Sequence, residues 1–123
     1  MQYFRSVAAH LTDEGQFVIE AFMPNLACFE AGQATRLTNL DEETMRLDAA
    51  EHAEAKQRIA SQHVVLSRDG VELYPIKLRY AWPSELDLMA RLSGLTLRNR
   101  WASWRREPFT GDSRKPVSVC AQR

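Results

Sequence analysis

The sequence predicts an α/β chain with an inserted antiparallel meander, and three observations predict it. A short amphipathic helix, a glycine and a continuous apolar run succeed one another before Pro24, which is half of a crossover unit. Four short, partly alternating runs fill residues 35 to 82, as an antiparallel sheet with one wetter face would require. In "LRYAWPSELDLMARLSGL", Leu78 to Leu95, a strand then meets a proline and becomes a helix at once.

The first helix, residues 3 to 12, is set by Phe4, Val7, Ala8 and Leu11, which fall on one face. Gly15 supplies its stop, and "QFVIEAFMP" follows, Gln16 to Pro24. The unbroken run Phe17, Val18, Ile19 predicts a strand covered on both faces, with parallel neighbours. "TRLTNL" (35 to 40), "TMRLDA" (44 to 49), "RIASQHVVL" (58 to 66) and "VELYPIKLRYAW" (71 to 82) are the meander strands, with "RDG" turning the last pair. "AAEHAEAKQ" (49 to 57) has helical propensity and reads as helix or loop. After Pro83, Ser84 reads as the N-cap of the second helix, with Asp87 closing a capping box. Leu88, Leu92 and Leu95 form its apolar stripe, and Gly94 its C-terminal cap. "TLRNRW" (96 to 101) and "PVSVCA" (116 to 121) read as two closing strands.

The chain has 123 residues, room for one domain (1–123) holding the insertion at 35–82. Its 45% hydrophobic content predicts a packed core. Sixteen basic residues balance sixteen acidic ones, which argues against a nucleic-acid partner, since that affinity comes from neutralising phosphates. The charge is uneven: residues 41 to 54 are acidic and residues 98 to 123 basic, either two solvated faces or complementary surfaces. Cys28 and Cys120 build neither a disulfide framework nor a zinc site, and no metal is expected. There is no signal-peptide pattern and no membrane-length apolar run, so a cytoplasmic setting without a membrane partner is expected.

"FRSVAAHL", "GQFVIEAFMP", "LRYAWPSELDLMARLSGLTLRNRW" and "EPFTGDSRKPVSV" together resemble the C-terminal half of bacterial class I S-adenosylmethionine-dependent methyltransferases. The resemblance covers nearly the whole chain, and its most specific part is "RYAWPSELDLMARLSGL" followed by "W…PFT…S…VSV". It implies the C-terminal half of a Rossmann-like sheet, α+β as a fragment, with residues 16 to 24 as the family's fifth strand. It also implies methyl transfer from S-adenosylmethionine to a small-molecule N or O nucleophile. The family's glycine-rich loop and ribose-binding acid have no counterpart here, because Gly15, Gly32, Gly70, Gly94 and Gly111 all stand alone. No cofactor-binding residue is therefore assigned, and this chain alone is expected to bind the cofactor weakly and to be inactive. Pro116 stands where the family more often has histidine, and Cys120 where it usually has an aromatic residue. The other reading is a non-enzymatic module, derived from the same fold, that binds a small molecule or dimerises.

No catalytic residue is legible. His10 and His52 read as surface residues, and His63 as a strand histidine or a pocket base. Glu20 is notable as a carboxylate in an apolar strand, needing a partner or solvent. Arg79, Tyr80 and Trp82 are core or a wall for an organic substrate. These, with Glu20 and His63, are the substrate-binding candidates. Trp101, Trp104 and Phe109 flank Arg105 and Arg106 in a connection that caps a substrate or closes the sheet. The expected partners are a second copy or a complementary N-terminal half, which would supply the missing neighbour of strand 16 to 24.

Overall fold

The computed structural model describes residues 1–123 and divides them into two compact units, residues 25–80 and the flanking segments 1–24 plus 81–123. In chain order the elements are α1 (Gln2–His10), β1 (Gln16–Glu20), β2 (Gln33–Leu40), β3 (Thr44–Ala53), β4 (Arg58–Ser67) and β5 (Gly70–Arg79). Then come α2 (Pro83–Leu92), β6 (Leu95–Trp101) and β7 (Val117–Gln122). Single 3-10 turns occupy Leu26–Cys28 and Glu54–Lys56. No helix is long and apolar enough to cross a membrane.

The terminal unit is a three-stranded sheet, ordered β1-β7-β6, with α1 and α2. Its core joins Phe4, Phe17, Leu86, Ala90, Leu95 and Cys120. The predicted stripe of α1 is present: Phe4 is buried, and Val7, Ala8 and Leu11 pack against the core. Phe4 meets Phe17 edge to face, with ring centroids 5.6 Å apart. Gln122 ties the end of α1 to β7, its Nε2 donating to the carbonyls of Ala8 and Leu11 at 3.4 and 2.9 Å. Gly15 is needed for close approach, since a Cβ there would lie 2.6 Å from Leu11 Cδ2.

Strand β1 departs from expectation in three ways. It ends at Glu20, not Pro24, although Ala21 and Met23 still donate to the carbonyls of Pro116 and Arg114. Its pairing is antiparallel, Phe17 opposite Cys120 and Ile19 opposite Ser118, where parallel neighbours were expected. It is also covered on one face only: Phe17 is buried, while Val18 is 42% exposed. An apolar run reports hydrophobicity and not direction, so it could not distinguish these arrangements. β7 is its one strand partner, and its other edge pairs with no strand.

Helix α2 is capped two residues earlier than predicted. Pro83 takes the first helical position and Trp82 becomes the N-cap. Glu85, not Asp87, closes the helix start, its carboxylate accepting from the Trp82 N–H at 2.9 Å. Ser84 is therefore not the cap. Glu85→Ala is expected to cost about 1 kcal/mol, and Ser84→Ala within about 0.5 kcal/mol of nothing. Thermal unfolding of the two variants compares them directly, and a larger loss at Ser84 would contradict this capping scheme. The apolar face is also rotated from the predicted one. Leu86 and Ala90 are buried and Met89 packs beside them, while Leu88 and Leu92 are exposed. Gly94 follows the helix at φ +81°, the left-handed cap expected of it.

The middle unit is an antiparallel meander, ordered β2-β3-β4-β5. Residues 49 to 53 are strand, not helix or loop, because pairing with β4 outweighs the helical propensity of alanine and glutamate. The reversal after Ala53 is made by the 3-10 turn, and Gln57 takes the left-handed conformation beyond it. Residue pairing fixes two faces. On one stand Asp48, His52, Ile59, His63 and Tyr74; on the other, Leu37, Leu47, Val64 and Leu73 lie abreast across the four strands. Beside that row lies a second, Leu40, Met45, Leu66 and Val71. Strand β5, predicted to run to Trp82, ends at Arg79.

Candidate functional site

On the Asp48 face of the meander the sheet assembles two histidine clusters that no sequence spacing announces. In the first, His52 lies between two aromatic rings, Phe29 at 5.2 Å and Tyr80 at 5.8 Å between centroids. Tyr80 is 4% exposed. Its hydroxyl is 2.8 Å from His52 Nε2, and its N–H donates to the Gln57 carbonyl at 3.1 Å. Burial of a tyrosine with its hydroxyl partnered is the usual compromise for a side chain with a polar tip. The Tyr80 position, just past β5, is what delivers the ring to His52.

In the second cluster, Asp48 and His63 face each other across β3 and β4, with Oδ1 and Nδ1 2.5 Å apart. A carboxylate on Nδ1 fixes the imidazole tautomer and directs Nε2 away, the arrangement that prepares a histidine to take a proton. The Tyr74 ring lies 6.3 Å from the His63 ring, and its hydroxyl donates to Glu72 at 2.7 Å. That hydrogen bond to the Glu72 carboxylate raises the Tyr74 phenol above the ordinary tyrosine range. Both members of the Asp48–His63 pair remain partly open to solvent.

Within the meander, the substrate-binding candidates His63, Arg79 and Tyr80 stand apart from one another. His63 and Tyr80 belong to the meander but to different clusters: His63 pairs with Asp48, and Tyr80 with His52. Four strand residues, about 13 Å, separate Asp48 from His52 along β3. Arg79 is exposed and lines a hollow with Lys56 and Arg58. Glu20 and Trp82 lie in the terminal unit. Glu20 resolves its awkward position by being exposed and accepting from Trp104 Nε1 at 2.7 Å. Trp82 caps α2. The residues that sequence reading missed are Asp48 and Phe29, whose partners lie 15 and 23 positions away and depend on strand register.

The terminal unit carries a partly buried ion pair. Arg100 grips Asp87 with two nitrogens, at 3.1 and 2.5 Å, and donates from Nε to Ser118 Oγ at 2.9 Å. Its guanidinium lies 5.6 Å from the Phe109 ring centroid. Asp87 is thus neither a capping residue nor free for chemistry. His10 is exposed and bonds the Ser6 carbonyl within α1. Free Cys28 is exposed and free Cys120 buried, and burial pushes the Cys120 thiol upward from its ordinary value.

The strand-to-helix junction at Pro83 is a helix start, the kind of place where backbone N–H groups can hold an anionic group. It does not fit S-adenosylmethionine. Proline at the first helical position removes a backbone donor, and the Glu85 carboxylate already occupies the helix start. The ligand's own carboxylate would meet negative charge there.

No family model matches the chain, and no curated protein matches it. Solved structures do. The CcbJ methyltransferase from Streptomyces caelestis superposes with a TM-score of 0.84 at 35% identity, over 98% of this chain and 51% of that one. An S-adenosylmethionine-dependent methyltransferase from Clostridium acetobutylicum gives 0.75 at 12% identity, over 98% of this chain and 50% of its own. CalS10 from Micromonospora echinaspora, an amino pentose methyltransferase involved in calicheamicin biosynthesis and solved with the cofactor bound, gives 0.58 at 16%, over 98% and 49%. The chain spans about half the length of each. Its fold is that of part of an S-adenosylmethionine-dependent methyltransferase. More closely, it resembles the C-terminal half of the class I enzymes.

Proposed function

We propose that the chain is the C-terminal part of a class I S-adenosylmethionine-dependent methyltransferase acting on a small-molecule N or O nucleophile in the cytoplasm. The observation that carries this is the match to CcbJ across 98% of the chain at 35% identity. In this reading the cofactor site belongs to a complementary N-terminal half, which pairs with the open edge of β1. Residues of the present chain serve the substrate. Phe29 and His52, backed by the buried ring of Tyr80, offer an aromatic wall with a polar edge, which suits an organic ring bearing hydroxyl or amino groups. Asp48 and His63 form a pair able to accept the proton that the nucleophile loses.

Calorimetric titration with S-adenosylmethionine tests the division of labour. The chain alone is expected to bind no tighter than about millimolar, because it lacks the loop and acid that make most polar contacts. Mixed with the CcbJ segment that it does not match, it is expected to reach micromolar affinity. Micromolar binding by the chain alone would place a cofactor site within it. Absence of binding and of methyl transfer in the mixture would remove the methyltransferase reading itself.

A further inference from the structure

We infer that the Arg58–Arg79 end of the meander binds the charged group of a small organic anion, whose apolar body lies in the shallow trough leading away from it. This site stands on the meander alone and is independent of methyl transfer. The first observation is charge. Arg58 and Arg79 stand directly opposite each other across β4 and β5, one row from Ala60 and Lys77. Alternation puts all four on one face, the face away from the Asp48–His63 pair. Lys56, in the turn before β4, joins the two arginines around a hollow of about 310 Å³.

None of Lys56, Arg58, Lys77 and Arg79 makes an ion pair, and none donates a side-chain hydrogen bond within the chain. Like charges directly opposite each other weaken a strand pair. Protection of the sheet edge accounts for Lys77 and Arg79, which lie on the outermost strand, but not for Arg58 on the inner strand β4. An anion bridging the two guanidinium groups turns the repulsion into an attraction. Their planar forks suit carboxylate, sulfate or phosphate, each of which can accept from two nitrogens at once.

The second observation is continuity. A further hollow of about 280 Å³ is lined by Arg58 and Arg79 and also by Ala60 and Lys77. Ala60 and Lys77 in turn line a trough of about 370 Å³, floored by Thr35, Ala49 and Pro75. The three hollows share walls, so they form one track. It is cationic at one end and lined by small side chains at the other.

The third observation is an orphaned acceptor. Gln62 lines the trough, and its Oε1 is buried with no hydrogen-bond partner. A buried acceptor without a donor is costly, and a ligand hydroxyl or amine in the trough supplies one. Glu51 stands opposite Ala60 in the same trough, two strands from Lys77, and offers that donor a second acceptor. Gln62 and Arg58 are four residues apart on β4, about 13 Å. The track therefore asks for an anionic group, an apolar stretch and a hydrogen-bond donor, in that order.

Isothermal titration of the chain with ω-hydroxydecanoate, which carries those three parts, tests this. Its expected Kd is about 0.1 mM. Decanediol, without the anion, is expected to bind about 30-fold or more weakly, and decanoate, without the hydroxyl, about 5-fold more weakly. Arg58→Ala and Arg79→Ala are each expected to weaken the hydroxy acid about 10-fold and to leave the diol unchanged. Gln62→Leu is expected to abolish the difference between the hydroxy acid and decanoate. Equal binding of diol and hydroxy acid by the parent overturns the inference. So does an affinity for the hydroxy acid indifferent to Arg58→Ala, with the circular dichroism spectrum unchanged. Failure to bind the hydroxy acid also overturns it, and cosedimentation with phosphatidylglycerol vesicles in that case assigns the cations to a lipid surface.

Discussion

Leu95→Ala is expected to destabilise the chain by about 3 to 4 kcal/mol, seen as an early transition in urea or on heating. Leu95 is fully buried, at the start of β6, in the cluster that joins α1, α2 and β1. Truncation removes its transfer free energy and leaves a cavity that a sheet residue, pinned between paired strands, cannot collapse. The loss is a large part of the stability of an ordinary domain, about 5 to 15 kcal/mol. Leu88→Ala and Leu92→Ala serve as controls. Both leucines are more than half exposed, so each change should register within about 0.5 kcal/mol. Equal losses at all three positions would mean that α2 presents its 88, 92, 95 stripe to the core after all.

Arg100→Ala is the second large effect, about 3 kcal/mol. The Arg100 and Asp87 side chains are 11 and 32% exposed. Removing the guanidinium strands the Asp87 carboxylate in a partly desolvated place and leaves Ser118 without its donor. Breaking one partner of a buried pair is costly for that reason, and the residual exposure of Asp87 holds the loss to the lower part of the usual range. The double variant Arg100→Met, Asp87→Leu is expected to recover most of it, since it removes both charges together. Equilibrium unfolding of Arg100→Met, Asp87→Leu and the double variant as a cycle checks this. If Asp87→Leu alone were as stable as the parent, the pair would contribute nothing.

Both effects concern features of differing visibility in the sequence. The α1 stripe was legible because Phe4, Val7, Ala8 and Leu11 have a period that only a helix satisfies. The meander was legible because its runs alternate and "RDG" permits the turn at Gly70. Helix α2 was visible, but its inward face was not. Leu88, Leu92 and Leu95 keep helical spacing as well as Leu86, Met89 and Ala90 do, and larger residues drew the eye to the wrong side. The end of β3 was hidden by propensity, which a ten-residue pairing with β4 overrides. The direction of β1 was not encoded locally, since hydrophobicity along one strand says nothing about which way its neighbour runs. The histidine clusters were least accessible. Asp48 meets His63, and His52 meets Tyr80, only once register is fixed, and register is a property of strand pairs. Among the five site candidates, Glu20, His63 and Tyr80 each have a side-chain polar partner, Trp104, Asp48 and His52, and none of those partners lies in a common motif with its candidate.

Pro75 in β5 has a consequence for how the polypeptide avoids fibres. An outermost strand normally offers a repeating row of donors to any passing chain, and cross-β growth begins there. Proline has no N–H to offer, and Lys77 and Arg79 add charge to the same strand, so this margin of the meander is blunted against further strands. β1 has no such guard: its five residues include no proline, and the single charge, Glu20, is engaged by Trp104. The molecule therefore has one margin built to end a sheet and another built to continue one. Strand addition has a permitted side, and misassembly should begin at Gln16–Glu20 and not at Gly70–Arg79.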